Sequence, residues 1–148
     1  METYIQSGNI VFSSVQKTPE ELVRCLENKI EKRFGFPVPA VLRTTEQLRQ
    51  AVLNNPFLAD DGEVGILHVL FLASLPSPVD VEKLDPNRSV PDAFVSHGQE
   101  VYLRLPNGVA RTQLTNSYFD TRLRTIGTMR NWRTVTRLLE LMEERDQG

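Results

Sequence analysis

Few of the residues that usually announce chemistry occur in this chain. It has one cysteine, Cys25. One thiol cannot close an internal disulfide, so nothing points to an oxidising compartment. Its two histidines, His68 and His97, lie far apart and lack metal-ligand spacing. With a single cysteine beside them, no zinc set can be drawn. There is no glycine-rich phosphate loop of the Walker or dinucleotide type. The longest apolar run, Ile66 to Ala73, contains His68 and is far shorter than the ~20 residues a membrane helix needs. The N-terminus lacks the basic and apolar regions of a secretory signal. The expectation is a cytoplasmic protein with no membrane contact, no metal and no cofactor.

What is present fits an ordinary folded domain. The chain has 148 residues, of which 40% are hydrophobic and 24% charged. That length predicts one domain, able to bury roughly 70% of its unfolded surface without staples. Thr3 to Ser13 predicts a hairpin turning at Gly8-Asn9. Thr18-Pro19-Glu20-Glu21 is a helix start, followed by an apolar stripe of Leu22, Val23, Leu26 and Ile30. Val38 to Arg43 predicts a short strand, with Pro39 marking an edge. Thr44 or Thr45 caps a second helix that runs to Asn54. Val64 to Ala73 predicts a central strand buried on both faces. Ser77-Pro78 opens a short helix to Leu84. Ala93 to Ser96 and Glu100 to Leu105 form a second hairpin, its second arm burying Val101, Leu103 and Leu105 on one face. A helix is predicted from about Arg111 to Leu123. A loop, Thr125 to Thr128, then leads into a last helix with Trp132, Val135, Leu138, Leu139 and Met142 on one face. Hairpins separated by helices predict an α+β sandwich with a mainly antiparallel sheet.

Charge is unevenly distributed. Acids outnumber bases through residue 103. From residue 104 to 137 the chain carries seven arginines (Arg104, Arg111, Arg122, Arg124, Arg130, Arg133, Arg137) against one acid, Asp120. So one-sided a segment points to an anionic partner. Within it, Thr128-Met-Arg-Asn-Trp-Arg-Thr134 is read as a helix start, whose free N–H groups favour an anion. The anion-site candidates are Arg111, Arg124, Thr128, Arg130 and Asn131. An arginine fork engages phosphate or carboxylate bidentately. The plainer reading is that Asn131 or Thr128 only caps the helix, that Trp132 only packs, and that the arginines pair with acids elsewhere.

Other candidates favour plain structural roles. His68 reads as a packed core histidine, His97 as a solvated turn residue and Cys25 as a buried thiol beside Leu22 and Leu26. Ser7 belongs to a turn with no base assigned to it. Asp60, Asp61 and Glu63 form an acidic loop without calcium-loop spacing.

Tyr4-Ile-Gln-Ser-Gly-Asn-Ile-Val-Phe12 and Thr128-Met-Arg-Asn-Trp-Arg-Thr-Val135 resemble the signatures of the domain of unknown function 1697 family. The resemblance implies intertwined ferredoxin-like α+β units in a cytoplasmic, mainly bacterial protein, with no established activity. Members of that family begin with a further strand, a loop resembling Arg-Gly-Ile-Asn and a helix before the first hairpin. This chain starts at the hairpin, so the resemblance implies a missing sheet position. Where the family tends to show Arg-Ser-Lys-Leu, this chain has Arg111-Thr112-Gln113-Leu114, without the lysine.

Three functions are open on the sequence. The first is a binding module for a phosphate-bearing small molecule or nucleic acid, with Tyr4 and Tyr102 as candidate stacking aromatics. The second is an enzyme for phosphoryl or acyl chemistry at the same pocket, drawing on Asp120, His97 or Ser7. The third is an interaction protein that forms homo-oligomers through an exposed sheet edge.

Overall fold

The computed structural model describes residues 4–6, 9–11, 19–35, 41–59 and 64–147. The first hairpin pairs β1 (Tyr4–Gln6) with β2 (Asn9–Val11). Helix α1 spans Pro19–Phe34 and α2 spans Thr45–Leu53. Then follow β3 (Leu67–Leu72), α3 (Pro78–Glu82), β4 (Ala93–His97), β5 (Glu100–Arg104), α4 (Asn116–Leu123), β6 (Gly127–Asn131) and α5 (Trp132–Gln147). Strands β3 to β6 form one sheet in the order β4-β5-β3-β6, every pair antiparallel. The fold is α+β.

Local chemistry sets several boundaries. The Thr44 hydroxyl accepts from the Gln47 N–H at 3.1 Å, and the Gln47 amide oxygen accepts from the Thr44 N–H at 2.9 Å. This reciprocal pair satisfies two donors at the start of α2. Ser77 caps α3 through the Val79 N–H, with Pro78 next to it. Thr115 caps α4 through the Tyr118 N–H at 3.1 Å. This helix therefore starts at Asn116 and not near Arg111, which lies in the preceding turn. Residues 41–44 are irregular rather than strand. The remainder of the predicted Val38–Arg43 strand, the Gly8 turn with Ser7, and the Asp60–Glu63 loop lie outside the described residues. The predicted 64–73 strand begins at Leu67, after a single 3-10 turn at Val64–Ile66.

Both sheet faces are covered. All six residues of β3 are buried. On one face Leu70, Leu72, Val101 and Leu103 pack with Tyr118, Phe119 and Leu123 of α4 and with Leu84 just after α3. On the other, Val69, Phe71 and Tyr102 pack with Leu48 and Ala51 of α2 and with Trp132, Val135 and Leu139 of α5. The period-2 alternation of a strand sends successive residues to opposite cores. The expectation that β5 buries one face only is corrected here. Tyr102 is fully buried on the other face because α2 covers it. Its hydroxyl donates to the Ala51 carbonyl at 2.6 Å. Burial raises the Tyr102 pKa, so the phenol stays a donor. Tyr102→Phe keeps the ring but strands that carbonyl. The expected loss is about 1–2 kcal/mol, read as a lower midpoint in urea melts with an unchanged slope.

The segment read as a loop at Thr125–Thr128 is instead the entry to β6. Gly127 pairs with Leu72 and Asn131 with His68. A Cβ at Gly127 would sit 2.9 Å from Leu70 Cδ1 and 3.2 Å from Leu72 Cδ2. Only glycine lets this strand approach so closely.

Candidate functional site: an arginine patch around Tyr118

The fold disperses Arg111, Arg124, Thr128, Arg130 and Asn131. Arg130 lies on β6 opposite Val69, on the side of α2 and α5. It is half-buried, its Nη1 donates to the Met129 carbonyl at 2.9 Å, and burial lowers its pKa. Thr128 shares that face, opposite Phe71. Asn131 ends the strand, and its side-chain oxygen accepts from the Thr134 N–H at 2.9 Å, so it caps α5. The helix thus starts at Trp132, with Arg130 on β6 two residues before it. Arg124 sits at the other end of β6, on the α3/α4 side. It closes α4 in the left-handed region (φ 56°), and its Nε lies 3.6 Å from Asp80 Oδ2. Arg111 is exposed on the β5–α4 connection.

A different grouping emerges around Tyr118. The Arg88 guanidinium lies 4.1 Å from the centre of its ring, and that of Arg122 lies 5.6 Å away. The ring itself is buried, held by its oxygen accepting from the Asp85 N–H at 2.9 Å and by an edge contact with Phe119. Arg88 Nε donates to the Gln113 carbonyl at 2.9 Å. The Ser89 hydroxyl accepts from the Gln113 N–H at 2.9 Å, donates to Asp92 at 2.7 Å and lies 3.5 Å from that of Thr112. These bonds tie the Arg88–Ser89 loop to Thr112 and Gln113, and Arg111 is the exposed residue before Thr112. Among the described residues, no carboxylate lies within 4.0 Å of Arg88, Arg111 or Arg122. Arg88 Nη1 and Nη2 and the whole Arg122 fork make no hydrogen bond to the described residues. Stacking fixes a guanidinium plane while leaving its edge for an anion.

Other polar groups are already committed to the fold. Asp120, the one acid of the arginine-rich segment, accepts from the Gly127 N–H at 2.9 Å and from the Asn116 amide at 3.0 Å. Burial raises its pKa, and these two bonds pull it back. His97 is on the Tyr102 side of the sheet, away from Asp120 on α4. A polar cavity of about 310 Å³ between α2 and the β4–β5 turn is lined by Arg43, Glu46, Gln50, Asn54, His97 and Glu100. Its arginine is consumed by Glu100 and three carbonyls. Of the two stacking aromatics, Tyr102 is corrected, being fully buried and unable to meet a base, and the side chain of Tyr4 lies outside the described residues.

His68 is buried, with Nδ1 unpartnered among the described residues. Burial lowers its pKa, partly offset by the Ile66 backbone. The unfolded chain therefore takes up the proton first, near the ordinary value of about 6.5. Stability is full above that pH and is lost as pH falls from there towards the lower folded-state value. Urea midpoints at pH 8 and pH 5.5 should drop more in the wild type than in His68→Gln.

Among the described residues, no helix is long and apolar enough to cross a membrane. No curated protein and no solved structure matches the chain. The family model described as "Protein of unknown function (DUF1697)" matches residues 1–102. That span contains Arg88 and ends before Arg111, Tyr118 and Arg122. The chain belongs to the DUF1697 family.

Proposed function

We propose that this protein is a non-catalytic binding module for a phosphate-bearing ligand, contacted by Arg88, Arg111 and Arg122. This reading rests on two guanidiniums over the Tyr118 ring, at 4.1 Å and 5.6 Å, with no carboxylate within 4.0 Å among the described residues. Arg88, held over the ring by its bond to Gln113 before the ligand arrives, loses little rotamer freedom on binding. Arg124, Thr128, Arg130 and Asn131 serve the fold in this reading, and Arg111 is retained from the sequence-based set. The enzyme alternative is disfavoured by Asp120, whose two oxygens are already bonded. The β3–β6 half, a β–α–β–β–α–β succession, is read as a ferredoxin-like unit. A cytoplasmic, bacterial setting rests on the single cysteine and the family resemblance.

The test is thermal shift with inorganic tripolyphosphate and nucleoside triphosphates. The wild type should gain a few degrees at millimolar ligand. Arg88→Gln/Arg122→Gln, with its fold checked by circular dichroism, should gain less than half as much. Equal shifts in both proteins would defeat the assignment.

A second reading has its own observation. Among the described residues β4 is an edge strand, with Val95 exposed and no lysine or proline within it. Such an edge can pair with a second copy. Sedimentation should then show a dimer that Val95→Lys dissociates, whereas a wild-type monomer at all concentrations removes this reading.

A further inference from the structure

We infer that the ligand of the Tyr118 patch is a nucleic-acid backbone, read through its phosphates and without regard to base sequence. The inference rests on the phosphate reading above and narrows it.

The three arginines come from three places in the chain. Arg88 lies in the connection after α3, Arg111 in the connection before α4, and Arg122 in the last turn of α4. All three are exposed. Because Arg88 and Arg122 flank one ring, their charges stand within about 10 Å of each other. A single phosphate can be embraced by one or two forks. A duplex offers one charge per ~1.7 Å of its axis, so it can meet Arg88 and Arg122 at separate phosphates and extend to Arg111 on the adjoining loop.

The aromatic at the centre narrows the class further. Proteins that recognise single strands stack unpaired bases on exposed rings. Here the ring is only 8% exposed, and Arg88 already sits over it at 4.1 Å. No base can reach that face. The phenol oxygen is likewise occupied by the Asp85 N–H. Tyr118 therefore acts as a platform for guanidiniums rather than for bases. What it presents outward is positive charge and N–H donors, which position a backbone and carry no base code.

Three phosphate contacts set a quantitative expectation. The logarithm of the association constant should fall against the logarithm of salt with a slope of about −2 to −3 for duplex DNA. Fluorescence anisotropy with two 20-base-pair duplexes of unrelated sequence measures this directly. The wild type should bind both with affinities within about twofold, the range expected when phosphates alone are read. Arg88→Gln/Arg122→Gln should flatten the slope by roughly two, about one unit for each phosphate no longer neutralised. Arg137→Gln removes one arginine from α5, where it pairs with Glu140, and should leave the slope unchanged.

Each other result counts against the idea. Binding of inorganic tripolyphosphate without binding of duplex would overturn the nucleic-acid inference and leave the phosphate reading standing. A tenfold preference for one sequence, or for single strands, would overturn backbone-only recognition. An unchanged slope in the double variant, with its fold confirmed, would move the site elsewhere. Binding of neither ligand would remove both readings.

Discussion

Arg43→Ala should lose about 3–5 kcal/mol of stability, the range for breaking a buried ion pair from one side. Arg43 and Glu100 have side chains only 12% and 15% exposed, and their atoms meet at 3.1 Å. Nη2 also donates to the Leu72 carbonyl at 2.8 Å and the Gln99 carbonyl at 3.1 Å, and Nη1 donates to the Leu42 carbonyl at 2.8 Å. The guanidinium lies over Phe71 at 5.5 Å. One side chain thus ties the approach to α2 onto the end of β3 and the β4–β5 turn. Burial lowers the Arg43 pKa, and Glu100 offsets this by favouring the charged form. Truncation leaves the Glu100 carboxylate buried without its cation. The double variant Arg43→Met/Glu100→Leu removes both charges and should recover much of the loss. Urea melts of the four corners of this cycle give the coupling. If Arg43→Ala cost under 1 kcal/mol, the pair would be a surface contact in practice.

Trp132→Ala should cost a similar amount, about 3–5 kcal/mol, through reduced burial and the cavity left behind. Trp132 is 5% exposed and belongs to the core that joins α2, α5 and the sheet. Helix α5 begins at this residue, so its ring sets the docking of the helix from its first turn. Trp132→Phe should cost less than half as much. Trp132 is the sole tryptophan, so the melts must be followed by circular dichroism. Phosphate binding by the folded fraction of either variant should match the wild type, because Trp132 packs against the face opposite Tyr118. A specific loss of binding, with stability intact, would return a ligand role to the Thr128–Thr134 motif.

The contrast between these residues shows what a linear reading can reach. Thr44, Ser77-Pro78 and the apolar run of β3 act on neighbours within a few residues, so their spacing reveals the elements they build. β6 was hidden. Gly127 looks like a loop residue, yet it is there because Leu70 and Leu72 leave no room for a Cβ. Thr128 and Arg130 make the strand look polar, although they face a covered side of the sheet. Arg43 looked like the end of an edge strand because its partners are 29, 56 and 57 residues away.

The candidate site was legible only in part. A charge count along the chain finds seven arginines but cannot tell which face each one takes. Pleating, the Asp80 contact and the capping of α5 separate Arg124, Arg130 and Asn131 from one another. Arg122 follows Tyr118 by one helical turn, a spacing visible in sequence. Arg88 lies outside the basic segment and joins it only through the Tyr118 ring and the Gln113 carbonyl. No local signal marks it.

Anions are expected to meet Arg88 and Arg122 over Tyr118. Nitrogen-15 spectra of arginine side chains, recorded during titration with inorganic tripolyphosphate, test this expectation most directly. The Nε–H signals of Arg88 and Arg122 should shift together along one saturating curve, with Arg111 following and Arg137 still. Saturating shifts confined to Arg130 and its β6 neighbours, with Arg88 and Arg122 unmoved, would contradict it.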